Sequence, residues 1–185
     1  TDEDIRIDAE RLAKYAKICQ EHNIVPIVEP EVLMEGIHTQ ERCYEVTELV
    51  LTHVFDQLVR KDVELDSMLL KPNMIVSGNK SGEQISSIQV AQKTLDCFMK
   101  HVPAEVPGIV FLSGGQSEEE ARNNLQEMHK LEKKYAWELS FSFGRALQTS
   151  ALKVWGGKKE NILEAQQVFF GVAKKLCDSV FHNEE

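Results

Sequence analysis

No CxxC pair and no HxxH or HxxxH pair occurs in this 185-residue sequence. The four cysteines, Cys19, Cys43, Cys97 and Cys177, are widely spaced, which fits neither a zinc site nor a dense disulfide frame. Reduced thiols of a cytoplasmic protein are the default for such spacing. The six histidines offer no metal pair and no EF-hand loop is present, so nothing suggests a catalytic metal. Aromatic residues make up only 7%, with no basic–aromatic pattern for stacking on single-stranded nucleic acid. Positive charge is also scarce: 21 Lys and Arg face 30 Asp and Glu, for a formal net charge of -9. That balance argues against generic binding to nucleic acid or to an anionic membrane. No apolar run approaches transmembrane length, and Thr1-Asp2-Glu3-Asp4 opens the sequence without a signal core. An anionic small substrate stays open, because local cations and helix ends bind phosphate within an acidic surface.

What is present is an α/β pattern. With 42% hydrophobic and 28% charged residues, the composition suits one globular domain over residues 1–185 with a sizeable core. Helical spacing covers 8–22, 40–61 and 84–100. Ser117-Glu118-Glu119-Glu120 opens a further helix with a capping box. Two more helices are expected over 145–155, ended by Gly156-Gly157, and over 160–181. Short β-branched or apolar runs predict strands over 24–28, 65–70, 109–112 and 137–143. Four strands alternating with helices predict a parallel sheet with βα crossovers. Alternation alone does not separate a barrel from an open sheet. In both, ligands gather at the carboxyl ends of the strands.

Those four ends carry the chemistry. The first ends Glu29-Pro30-Glu31. Residues two apart in a strand share a face, so both carboxylates can point inward and exchange protons; the plain alternative is solvated loop acids. The second ends Met68-Leu69-Leu70-Lys71 and is stopped by Pro72. Desolvation at that edge disfavours an ammonium and frees an amine able to form a Schiff base; the alternative is a lysine snorkelling into water. The third ends Ser113-Gly114-Gly115, where backbone amides can approach an anion, or where the chain simply turns. The fourth runs Ser140-Phe141-Ser142-Phe143-Gly144-Arg145 into a helix, with serines on one face and phenylalanines on the other. Glycine and arginine at a helix start read as a phosphate site rather than an ordinary surface arginine. Trp137 and Trp155 are expected to pack against neighbouring helices.

Five segments in order resemble the class I fructose-bisphosphate aldolase family. They are Ile24 to Glu31, Leu69 to Met74, Phe111 to Glu120, Ser142 to Gln148 and Trp155 to Asn161, and the likeness covers nearly the whole sequence. The resemblance implies a TIM (β/α)8 barrel, of which this chain supplies about the last four βα units. It implies a lyase of glycolysis that cleaves fructose 1,6-bisphosphate reversibly, without metal or other cofactor, through a lysine Schiff base. Lys71 would form the Schiff base, Glu29 would be the acid/base and Glu31 a supporting carboxylate. Ser113, Gly114, Gly115, Ser142, Gly144 and Arg145 would hold a substrate phosphate. A cytoplasmic homotetramer is implied as well.

The same resemblance exposes departures. The aspartate of carbon–carbon cleavage and further lysines belong to earlier strands of the family, and its tyrosine-ended tail has no counterpart here. Met34-Glu35-Gly36-Ile37-His38 stands where the family often has a Pro-Asp-Gly turn. Four strands cannot close a barrel. The chain is therefore read as part of a longer polypeptide, or an ordered or processed piece of one, and by itself it is expected to be inactive. Two rival functions are a non-catalytic sugar-phosphate or protein-binding scaffold, and a Schiff-base aldolase acting on another phosphorylated ketose.

Overall fold

Helix and strand alternate up to a closing pair of helices in a computed structural model that describes residues 1–131 and 134–180. The order is α1 (Asp2–Glu21), β1 (Ile27–Val28), α2 (Gln40–Arg60), β2 (Leu69–Leu70), α3 (Ser87–His101), β3 (Gly108–Phe111), α4 (Glu118–Lys130), β4 (Glu138–Phe141), α5 (Arg145–Trp155) and α6 (Ile162–Val180). Single 3-10 turns, Leu65–Ser67 and Lys159–Asn161, precede β2 and α6.

The four strands are parallel and lie in the order β1-β2-β3-β4. Each strand sits beside its predecessor, as in successive units of a (β/α)8 barrel. A doubly wound open sheet would reverse direction at a switch point. The topology therefore fits a partial barrel, a choice the alternation of elements left open.

Local chemistry sets the helix boundaries. The expected start of α1 at residue 8 is corrected to Asp2, because Thr1 caps Asp4 reciprocally and Asp2, Glu3 and Asp4 complement the helix dipole. Apolar spacing is blind to such an acidic first turn. At α4 the expected capping box forms: Ser117 Oγ accepts from the Glu120 amide, and Glu120 Oε2 accepts from the Ser117 amide. Gly156, at φ 56, ends α5 in the left-handed region that glycine occupies without strain. The last helix was expected to reach residue 181, which lies outside the described residues.

The strands are shorter than expected. Ile24 and Val25 are β-branched, but they are 58% and 63% exposed and pair with nothing in the ladder. Leu65 to Ser67 coil into a 3-10 turn instead of extending β2. Propensity without a partner strand does not make a strand.

Alternation along the strands sorts the core. Val28, Leu70, Ile109, Phe111 and Leu139 are buried on the helix-covered face. Phe98 of α3 stacks on Phe111 with ring centroids 5.9 Å apart. Ala9, Ala13 and Ala16 give α1 a buried face of small residues, which lets it lie close on α2. Leu70 is fully buried, so Leu70→Ala should cost about 2–5 kcal/mol. Trp137 is buried and stacks on Tyr135, which lies outside the helices, and Trp155 is 42% exposed. Among the described residues no helix is long and apolar enough to cross a membrane.

Candidate active site

The register of the ladder assembles the first half of the site. Val28 pairs with Leu70, so the next residues, Glu29 and Lys71, emerge side by side. The Lys71 amide donates to the Val28 carbonyl at 2.8 Å, which fixes that level. Lys71 Nζ then lies 3.0 Å from Glu29 Oε1, with the lysine side chain 19% exposed and the glutamate 47%. The lysine is thus paired rather than isolated against an apolar wall. A proton leaving its ammonium has an acceptor within hydrogen-bond reach.

Glu31 continues the same exit loop toward β3. Its Oε1 sits 3.8 Å from where a Cβ on Gly114 would be, so Gly114 leaves room for the carboxylate. Gly114 and Gly115 have φ of 56° and 92°, a turn that side-chain-bearing residues rarely adopt. Ser113 is buried, and its carbonyl accepts from both the amide and the side-chain Nε2 of Gln116 at 3.0 Å. Asn124 Nδ2 donates to Gln116 Oε1 at 2.7 Å and completes this brace under the loop.

Beyond β4, the Ser142 amide donates to the Phe111 carbonyl at 2.8 Å and holds the two exits level. Phe141 and Phe143 approach at 5.3 Å between ring centroids, leaving the serines on the other face. Gly144 is the N-cap of α5 and offers no side-chain cap. The amides of Arg145 and Ala146 therefore lack an intrahelical acceptor. Arg145 is exposed and forms no ion pair among the described residues. A cleft of about 620 Å³ brings Gly115 and the start of α4 together with Arg145, Ala146 and Thr149. It joins the third and fourth strand ends.

Other titratable groups are shifted elsewhere in the fold. Burial, together with Cys19, raises the Tyr15 hydroxyl above the usual tyrosine range; Glu29 adds to the effect. All four cysteines are free. Burial raises the thiol of Cys43, and pushes that of Cys97 up to about 12. Among the described residues no three His, Cys, Asp or Glu side chains cluster as a metal site requires. An apolar groove of about 460 Å³ between α5 and α6, lined by Leu152, Trp155, Ile162 and Phe169, lies away from the strand ends and carries no nucleophile or acid.

The family model for class I fructose-bisphosphate aldolase matches residues 1–182. The chain belongs to this aldolase family. Fructose-bisphosphate aldolase 4, cytosolic, of Arabidopsis thaliana is 50% identical over 170 residues, covering 92% of this chain and 43% of that protein. A probable class 1 aldolase of Xanthomonas axonopodis pv. citri is 47% identical over 172 residues, covering 92% and 51%. Among solved structures, the aldolase of Plasmodium falciparum, crystallised with TRAP and a small-molecule inhibitor, superposes with a TM-score of 0.93 at 44% identity. That match covers 97% of this chain and 52% of the other. The chain thus spans about half the length of the aldolases it matches.

Two residues of the site escaped the sequence reading. Asn73 and Gln116 both stand within the aldolase-like segments, yet nothing in their spacing marks them. Asn73 reaches partners 41 and 26 residues away that only the fold brings together, whereas Gln116 bonds locally, to Ser113 and Asn124.

Proposed function

We propose that the protein containing this chain is a class I fructose-bisphosphate aldolase, with residues 1–185 acting as one domain that forms half of the barrel. It cleaves fructose 1,6-bisphosphate reversibly to dihydroxyacetone phosphate and glyceraldehyde 3-phosphate, a glycolytic step, in the cytosol. The observation that carries this reading is the 3.0 Å contact between Lys71 Nζ and Glu29 Oε1 at two adjacent strand ends.

The chemistry follows from that pair. Glu29 takes a proton from the Lys71 ammonium, and the free amine adds to the ketone carbon of the sugar. Glu29 returns a proton to the carbinolamine hydroxyl, which leaves as water and gives an iminium. A base takes the hydroxyl proton of the departing carbon, which leaves as the aldehyde of glyceraldehyde 3-phosphate, while the iminium takes up the electron pair of the broken carbon–carbon bond as an enamine, so no metal and no other cofactor is required. Protonation of the resulting enamine and addition of water release dihydroxyacetone phosphate and restore the lysine. Glu31, between this pair and the glycine turn, supports the acid–base exchange. Ser113, Gly114, Gly115, Ser142, Gly144 and Arg145 form the phosphate cradle. Uncapped α5 amides and a free guanidinium there face one cleft, which suits a phosphate dianion. A homo-oligomer, a tetramer, is the form the family resemblance suggests.

The test is borohydride reduction of the full-length protein with dihydroxyacetone phosphate, followed by peptide mass mapping. A reduced adduct on Lys71 is expected, and none after Lys71→Arg, because a guanidinium is no nucleophile at neutral pH. An adduct confined to another lysine would overturn the assignment.

A further inference from the structure

The ladder that sets Glu29 opposite Lys71 ends at that level. Pro30 and Pro72 have no amide hydrogen, and the Pro72 carbonyl turns away to accept from Leu112 at 3.1 Å. Beyond the pair, the nearest cross-link between the two exit loops is a side chain. Asn73, two residues after Lys71, is 5% exposed. Its Oδ1 accepts from the Val32 amide, next to Glu31, at 2.9 Å. Its Nδ2 donates to the Met74 carbonyl at 3.1 Å and to Thr47 Oγ1 at 3.3 Å, with Cys43 Sγ at 3.9 Å. Farther out, the loops pair again through backbone bonds from 78–80 to Met34, Gly36 and His38.

We propose that Asn73 is a positioning residue: its buried amide clamps the Glu29-Pro30-Glu31 loop to the Lys71 loop and anchors both on α2. This inference rests on the aldolase reading of the same site. Proton transfer between Glu29 and Lys71 tolerates only a few tenths of an ångström. A loop end released from its one buried acceptor gives up that precision. The phosphate cradle on β3 and β4 makes no hydrogen bond to Asn73, so phosphate binding stays as it is.

The experiment compares three variants of the full-length protein: Asn73→Ala, Thr47→Val and Thr94→Val. Thr94 is the control. Its buried hydroxyl accepts from the Ile75 amide at 3.0 Å, in the same loop, but touches nothing on the Glu29 side. The rate of borohydride-trappable adduct on Lys71 with dihydroxyacetone phosphate is measured beside inorganic phosphate affinity and the melting temperature. Asn73→Ala should slow adduct formation by on the order of 10- to 100-fold, with KM and phosphate affinity unchanged. Thr47→Val, which loosens the anchor, should slow it a few-fold. Thr94→Val should lose stability but keep the rate. An Asn73→Ala protein trapping at the unaltered rate, or Thr94→Val slowing trapping equally, overturns the proposal. If Asn73→Ala does not fold, the contrast between Thr47→Val and Thr94→Val decides. Absence of any Lys71 adduct in the unaltered protein overturns the aldolase reading itself, and is told apart by occurring without a substitution.

Discussion

Glu29 and Lys71 occupy equivalent levels of neighbouring parallel strands, one residue past the Val28–Leu70 pair, and their charged ends meet at 3.0 Å. The contact is a product of register. A slip of one residue would send Lys71 to the helix-covered face, where Leu70 is wholly buried, and would expose the leucine. Packing energy on one face therefore enforces the chemical pairing on the other.

Glu29→Gln keeps the size of this side chain and removes its basicity. Adduct formation on Lys71 should fall by roughly 10²- to 10⁴-fold, the usual loss when a positioned acid/base is removed. Rapid-quench trapping with dihydroxyacetone phosphate measures it. A rate within a factor of a few of the unaltered protein would assign proton transfer to another group.

Arg145→Ala should weaken binding of phosphorylated ketoses by roughly 10- to 100-fold, the range for removing a hydrogen bond to a charged group. An unphosphorylated analogue should bind almost unchanged. Calorimetric titration with both ligands separates the outcomes, since equal losses would mean a folding role for the arginine.

Alkaline pH should destabilise the fold through its buried thiols. Burial raises Cys97 from an ordinary value of 9.0 to about 12 and raises Cys43 in the same direction. A raised thiol favours the native state fully below about pH 9, and that advantage drains away as pH climbs toward 12. Denaturant unfolding between pH 8.5 and 11 should show falling stability, with a shallower slope in Cys97→Ala. An identical slope would exclude Cys97 as a source.

Residues 1–185 expressed alone should show no normal aldolase turnover and should self-associate. β1 and β4 each have one partner strand among the described residues, which leaves two sheet edges open to pairing. Sedimentation and a coupled turnover assay test this together. A monomer with full activity would mean that four βα units hold a complete site.

The placing of Lys71 and Glu29 at strand ends was legible because periodicity breaks there: Leu70 yields to Lys71, and Val28 to Glu29, where a loop begins. Capping at Ser117 and the stop at Gly156 were legible for the same reason, since each depends on residues within one turn. Ile24 and Val25 misled because β-branching reports a preference and not a partner. The bracing of the two loops by Asn73 was invisible because Val32 and Thr47, its partners, lie 41 and 26 residues away. A polar residue after Lys-Pro looks like any loop residue until the loop beside it is in place.

The ladder is also uneven along the sheet. β3 and β4 share four register pairs, whereas β1–β2 and β2–β3 share two each. Amide hydrogens of β4 should therefore exchange with deuterated solvent only in the deepest opening events, while those at Leu69 and Lys71 exchange through shallower ones. The half of the sheet that bears Lys71 would then breathe on a faster clock than the half that leads to Arg145, so under the proposed function the phosphate would have a steadier seat than the carbon chain attached to it.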